Sequence, residues 1–340
     1  MKVAVIGITP IGCTIACLLK LAGTDVTIIG PADRAEMIAE MGITIRQSWD
    51  SVSIYAPVPS ADALDFAPDV AIFAANTQDT GPWAEKLAPF IKESTIATIQ
   101  YGNKTEQIIA KALPHVRDNI VTCVLTIGAI CHRPGDVTLN FKGHMVVGRA
   151  YGASEESVES VRKLMRGVFH THRGEKIAHY NCTRLLLNLP YCIPGIIGEK
   201  VQRAFMDHDT AKVAVLLLKE GTRIIKKAGV HIAPLPDFDK ERLNKLLSLP
   251  LDEAAVRFGE IVMSMSRLPC EGPVLGSIEQ GEPSEIDYQN GEMVKIGRAV
   301  EYPAPLNELV VSLVHQVERT REFFSKEEFL RLVAQAAASG

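Results

Sequence analysis

Lys2-Val-Ala-Val-Ile-Gly7-Ile8-Thr9-Pro10-Ile11-Gly12 is the stretch on which the fold turns. The apolar run to Ile6 reads as a buried parallel strand, and the apolar run from Ile11 to Leu19 reads as a helix. Pro10 suits the first helical position, where a missing N–H has no partner to lose. After Gly23, Val26 to Ile29 supplies a second strand, and the three pieces make a βαβ unit of about thirty residues. In a dinucleotide-binding turn the first glycine makes the tight turn, the second admits the pyrophosphate, and the third lets helix and strand pack closely. Gly7 and Gly12 hold the first and third places, and Thr9 holds the second, where its Cβ crowds a pyrophosphate while its hydroxyl offers one a hydrogen bond. Gly7, Ile8, Thr9, Pro10, Ile11 and Gly12 are therefore the candidate phosphate cradle, with helix-start N–H groups favouring an anion. No acid ends the second strand in Ile29-Gly30-Pro31-Ala32-Asp33-Arg34, and Arg34, in the following loop, is placed to accommodate a ribose 2′-phosphate. NADP is the expected cofactor, and Asp33 keeps NAD open.

Outward from this unit the alternation continues. A central strand lies within 67–75, a helix over 83–92, a strand over 95–100, a helix over 105–112 and a strand over 120–127. Strands alternating with helices predict a Rossmann-type, doubly wound parallel sheet. Short alternating strands follow at 136–141 and 144–147, then helical periodicity over 154–167, 177–205, 208–228, 251–266, 284–299, 305–322 and 326–337. The fold class is thus α/β, with a dinucleotide-binding domain over 1–174 and an all-helical substrate or dimerisation domain over 175–340. Pro190, Pro194, Gly195 and Gly198 should bend or break the long helix over 177–205.

The 340 residues suit about two domains. Lys and Arg number 36 against 40 Asp and Glu, a formal charge of −4 without a basic stripe, which argues against nucleic-acid binding. With 47% hydrophobic and 22% charged residues the chain is too apolar to be disordered. Seven scattered cysteines without a CxxC pair read as reduced thiols of a cytoplasmic protein. Cys13 and Cys17, at i and i+4, read as small hydrophobes packed under one helix. The uncharged run over 3–19 looks like part of a secretory leader, but its Gly/Pro turn breaks the apolar helix a leader needs, and no stretch is long and apolar enough to span a bilayer. His170 and His172 share a strand face without a convincing third ligand, so no metal is expected. The amphipathic C-terminal helices would suit a homodimer interface.

Over nearly its whole length the chain resembles the ketopantoate reductase (2-dehydropantoate 2-reductase) family. The likeness rests on the N-terminal strand and turn, on Asp69-Val-Ala-Ile-Phe-Ala-Ala-Asn-Thr77, on Gln100-Tyr-Gly102, on Arg184-Leu-Leu-Leu-Asn188, and on Ser284-Glu-Ile-Asp-Tyr-Gln-Asn-Gly291 followed by Pro303. The resemblance implies NADPH-dependent reduction of a small 2-oxo acid, with Asn76, Gln100, Tyr101 and Glu285 joining the cradle and Arg34 as cofactor contacts. It also exposes departures. Asn76 stands where the family carries a Lys, Tyr101 replaces the Asn of a Gln-Asn-Gly loop, Arg184 replaces the catalytic Lys, Cys192 replaces a second Asn, and the family's substrate-binding Ser falls near Gly272 or Pro273.

Carbonyl reduction needs a proton or a positive charge beside the forming alkoxide. Arg184 could hold an oxyanion or a carboxylate through its planar fork but cannot give up a proton. Tyr180, Arg184 and Asn188 lie at i, i+4 and i+8 of one helix, so Tyr180 is a candidate acid, Tyr101 is a second if its loop lines the same cleft, and the three helix residues are the candidate catalytic residues for a small carbonyl or imine substrate. The competing reading is a protein that keeps the fold and the nucleotide but transfers no hydride.

Overall fold

The computed structural model describes every residue except 51, 100–103, 267–268 and 339–340. The chain divides into two compact units, Met1–Tyr180 and Asn181–Gly340. The first contains β1 (Lys2–Ile6), α1 (Pro10–Leu21), β2 (Asp25–Ile29), α2 (Ala32–Met41), β3 (Ile43–Gln47), β4 (Ser53–Ala56), β5 (Ser60–Ala61), β6 (Val70–Phe73), α3 (Thr77–Leu87), β7 (Thr95–Thr98), α4 (Thr105–Ala112), β8 (Ile120–Arg133), β9 (Asp136–Arg149), α5 (Glu155–Arg166) and β10 (His170–Arg173). They form one sheet in the order β4-β3-β9-β8-β7-β6-β1-β2-β5, with β10 also beside β9.

From β5 through β2, β1, β6 and β7 to β8 the strands are parallel. Val3, Val5, Val26 and Ile28 face one core with Ile15 and Leu19 of α1, whereas Ala4, Ile6, Ala71 and Phe73 face the other with Ala84, Leu87 and Ile109. A strand covered on both faces must be apolar throughout, which is why β1 and β6 read as continuous runs rather than as alternations. The chain leaves β1 toward β2 and returns beyond it to β6 and β7, so the order reverses between β1 and β6. In such sheets ligands bind outside the carboxyl ends of the strands at that reversal.

The sheet is mixed rather than wholly parallel, because β8–β9 and β3–β4 are antiparallel hairpins. The segments read as short strands at 136–141 and 144–147 are one strand of 14 residues. A register shift opposite Leu125 and Ile127 absorbs the residue that breaks the alternation around Lys142-Gly143. The first half of β9 pairs with β3 and the second with β10. The helix expected over 83–92 instead runs from Thr77 to Leu87 and carries Pro82 in its interior. The first turn, ahead of that proline, is the part the expected range left out, and in it Thr80 Oγ1 donates to Asn76 O at 3.1 Å.

Helix α6 (Ile177–Asn188) crosses the division, and the second unit continues with α7 (Cys192–Ile197), α8 (Val201–Met206), α9 (His208–Lys227), α10 (Lys240–Ser248), α11 (Leu251–Met265), α12 (Pro273–Glu279), α13 (Asn290–Ala299), α14 (Pro305–Thr320) and α15 (Lys326–Ala338). The run over 177–205 breaks as its prolines and glycines demand. A 3₁₀ turn at Leu189–Tyr191 follows α6, and Gly198, at φ 67°, ends α7. The helix expected over 284–299 starts only at Asn290, after a 3₁₀ turn at Ile286–Tyr288. Among the described residues no helix is long and apolar enough to cross a membrane.

A buried polar relay ties this unit together. Glu220 of α9 accepts from the Leu306 and Asn307 amides of α14 at 3.0 and 2.9 Å and from Asn307 Nδ2 at 2.7 Å. It thereby satisfies N–H groups that a helix start leaves without intrahelical partners, and places a negative charge at the positive end of the helix dipole. Asn290 Nδ2 then donates to Asn307 Oδ1 at 3.0 Å and to Leu189 O at 3.1 Å.

Glu220→Ala strips three buried donors of their acceptor and is expected to cost about 3–5 kcal/mol. Glu220→Gln keeps one acceptor oxygen and should cost roughly half as much. Urea midpoints of the three proteins check the order.

Candidate functional site

The turn after β1 is built by backbone contact. Gly7 has φ 120°, donates its N–H to Ile29 O at 2.8 Å, and lies so close to the exit of β6 that an added Cβ would stand 2.4 Å from Ala75 N. At Gly12 a Cβ would stand 1.9 Å from Gly7 O. Both positions admit only glycine, one for its conformation and both for their space. Ile8 and Ile11 turn their side chains inward, and Ile8 packs over Gly30 at the end of β2.

Thr9 departs from the role expected of it. Its Oγ1 donates to Ala74 O at 2.7 Å and accepts from Gly12 N at 3.1 Å, so the hydroxyl caps α1 and pins it to the end of β6 instead of facing a phosphate. The first turn of α1 then has few amides to offer. Pro10 has none, Gly12 donates to Thr9 Oγ1, and Cys13 donates to Thr9 O at 2.8 Å. The Ile11 amide remains at the positive end of a helix of 12 residues. The extended backbone of the turn and this amide fit an anion, with a narrower donor set than three glycines would give.

Arg34 lies in the first turn of α2 rather than in a loop, because Pro31 is already the N-cap. It is half-buried, and its guanidinium acts on Asp79 in the first turn of α3. Burial pushes the Asp79 carboxyl above its ordinary range, and Arg34 partly opposes this. Asn76 is the N-cap of α3, next to the Ala75 that Gly7 touches, so it stands at the sheet reversal itself. Gln100 and Tyr101 lie outside the described residues. Glu106 of α4 accepts from Thr122 Oγ1 at 2.6 Å and from Thr98 Oγ1 at 3.4 Å, joining the ends of β7 and α4 to β8. The sequence reading missed Glu106; an acid in the first turn of a helix that follows a strand was the available signal.

Tyr180, Arg184 and Asn188 all lie on α6, whose fourth residue ends the first unit. Tyr180 is half-buried against Gly174, where a Cβ would meet its ring at 3.2 Å. Arg184 is only 8% exposed and donates from Nη2 to Asn181 Oδ1 at 3.5 Å. A guanidinium so enclosed stays charged and must be met by polar groups. Asn188 is half-buried, and its Nδ2 has no hydrogen-bond partner among the described residues. Neither end of the fully buried Gln289 amide has one either. Buried amides without partners mark places where a ligand or water completes the bonding. Glu285 precedes the 3₁₀ turn at Ile286–Tyr288 and is 8% exposed. Cys192 is fully buried, donates to Leu189 O at 3.2 Å, and has its thiol pushed well up by burial. The Gly272–Pro273 step is the start of α12 and offers no hydroxyl.

Comparison with known proteins covers both units. Family models described as "Ketopantoate reductase PanE/ApbA" and "Ketopantoate reductase PanE/ApbA C terminal" match residues 3–152 and 176–318. The chain is similar to a 2-dehydropantoate 2-reductase of Pyrococcus horikoshii, 24% identical over 94% of this chain and 98% of the relative. It is also similar to an oxidoreductase named YkpB of Bacillus subtilis, 22% identical over 94% of this chain and 99% of the relative. Among solved structures, a PanE/ApbA family ketopantoate reductase from Ralstonia eutropha superposes with a TM-score of 0.75 at 20% identity, covering 94% of this chain and 99% of the other. D-mandelate dehydrogenase with NADH superposes at 0.73 and 18% identity, again covering 94% and 99%.

Thr9→Val removes the hydroxyl without changing the side-chain shape. It uncaps α1, leaves Ala74 O unpaired, and should cost about 1–2 kcal/mol, whereas Thr9→Ser should stay within roughly 0.5 kcal/mol of the parent. The urea midpoint distinguishes the two.

Proposed function

This chain belongs to the ketopantoate reductase family of oxidoreductases, and on that premise we propose that it reduces a small 2-oxo acid to the 2-hydroxy acid with NADPH. The observation that carries the reading is the contact of Gly7 with Ala75 at the sheet reversal, which sets a tight glycine turn at the start of α1. Arg34, in the first turn of the next helix, supports NADPH over NADH, because a guanidinium forks onto a phosphate while no acid ends β2 to take a ribose hydroxyl. A bound nicotinamide would supply the hydride. Ile11 N–H would hold a phosphate oxygen, and Arg34 would meet the 2′-phosphate in competition with Asp79.

On the substrate side, Arg184 supports a carboxylate-bearing substrate. Its buried fork binds two oxygens and stabilises negative charge but keeps its protons. The carbonyl oxygen, as it becomes an alkoxide, needs a separate acid, and Tyr180 on the same helix would donate its phenolic proton. Asn188 Nδ2, which has no partner among the described residues, would orient the substrate by hydrogen bonding. With Arg184 in place of the family's Lys, charge stabilisation and proton donation fall to two side chains instead of one.

Titration by cofactor fluorescence and thermal shift is expected to show NADPH binding more tightly than NADH. Arg34→Ala should weaken NADPH by roughly 10- to 100-fold, the loss of one charge-assisted contact, with NADH nearly unchanged. Equal binding of both cofactors by the parent would sink the NADPH assignment.

With ketopantoate and other 2-oxo acids as substrates, Tyr180→Phe should lower kcat by about 10²-fold at nearly constant KM. Arg184→Ala should lower kcat/KM by about 10²- to 10³-fold while leaving NADPH binding intact. An unchanged kcat for Tyr180→Phe would remove that residue from the chemistry.

A further inference from the structure

Cys13 does not pair with Cys17, its neighbour one helical turn on, whose Sγ points to Ile43 O at 3.8 Å. The Cys13 thiol hydrogen-bonds instead to Cys131, near the tip of the β8–β9 hairpin. The hairpin tip is fixed there by its own contacts. Gly135 O accepts from Thr44 N at 2.7 Å, and Gly135, at φ 82°, lies so close to Gly42 that a Cβ would stand 2.6 Å from Gly42 O. The Gly135 amide also reaches both sulfurs, and the Cys131 thiol donates to Arg133 O at 2.9 Å. The two thiols differ in access, Cys13 being fully buried in α1 and Cys131 only half-buried.

The surroundings also set the two thiols apart. The hydrogen bond from Cys13 holds the Cys131 thiol below its ordinary range, with the Gly135 amide and the Arg34 guanidinium helping and burial and Asp136 opposing. The same contact, with burial, pushes Cys13 well up. A half-buried, solvent-accessible thiol in contact with a fully buried one is the arrangement of an attacking and a resolving cysteine.

We propose that Cys13 and Cys131 are an oxidant-reactive pair that closes to a reversible intramolecular disulfide between the first turn of α1 and the β8–β9 hairpin. With hydrogen peroxide as oxidant, Cys131 sulfur attacks one peroxide oxygen, the O–O bond breaks, and the products are the Cys131 sulfenic acid and one water. Cys13 sulfur then attacks the Cys131 sulfur, an S–S bond forms, the S–O bond breaks, and the hydroxyl leaves with the Cys13 proton as a second water. Two thiols are oxidised by two electrons in all and one peroxide is reduced to two waters. The new bond lies one turn from the Thr9 cap and covalently fixes the helix that carries the phosphate turn.

The test treats the full-length protein with hydrogen peroxide, quenches it in denaturant, and counts free thiols. The expected result is a fall of two from the seven thiols of the untreated chain, a peptide joined through Cys13 and Cys131 in non-reducing mass spectrometry, and full recovery with dithiothreitol. Cys131→Ser should lose no thiol under the same treatment. Cys13→Ala, which places a small residue in the buried site, should instead carry Cys131 to a sulfinic acid without any cross-link. A thiol count that stays at seven, a link through any other cysteine, or a Cys131→Ser protein that still loses two thiols overturns the proposal.

Discussion

The backbone of Gly7 lies against the backbone of Ala75, with no room for a single methyl group between them. That closeness is possible because β1 and β6 are neighbours at the point where the sheet order reverses. It sets the start of α1, and the Thr9 hydroxyl then fastens α1 to Ala74, one residue from the same contact. The candidate cofactor residues of the first unit, from the cradle to Asn76, are arranged around this junction. Its rigidity comes from backbone contacts and a cap, so little of it depends on a ligand being present.

Such a junction constrains the chemistry as well. A threonine in the middle of the turn contributes a cap and takes away an amide, so a pyrophosphate bound there would be met by fewer N–H groups. Under the proposed reading affinity would come from elsewhere, and the Arg34 guanidinium in the first turn of α2 would supply a charged partner for a phosphate. The altered turn and the absence of an acid at the end of β2 therefore point the same way.

In the second unit the organising feature is polar. Glu220, Asn307 and Asn290 connect α9, α14, α13 and the turn after α6 by buried hydrogen bonds. Each bond has a defined length and direction, so the relay specifies where α6 ends far more narrowly than leucine packing could. The last residue of α6 is Asn188, whose Nδ2 has no hydrogen-bond partner among the described residues.

The sequence by itself determined the strand–turn–helix unit, the two-face apolar pattern of β1 and β6, the division into a sheet part and a helical part, and the break after α6. These follow from residue periodicity and from the local geometry of glycine and proline, which act within a few positions. The full length of β9 was not legible, because a register shift hides a single strand behind two shorter patterns. Only the tertiary structure decided where the Thr9 hydroxyl points, since its acceptor lies 65 residues away. It likewise decided that Glu285 is buried, that Arg34 shares its charge with Asp79, and that Cys13 meets Cys131 rather than Cys17. In every one of these cases the partner comes from a distant part of the chain, and a local pattern carries no record of it.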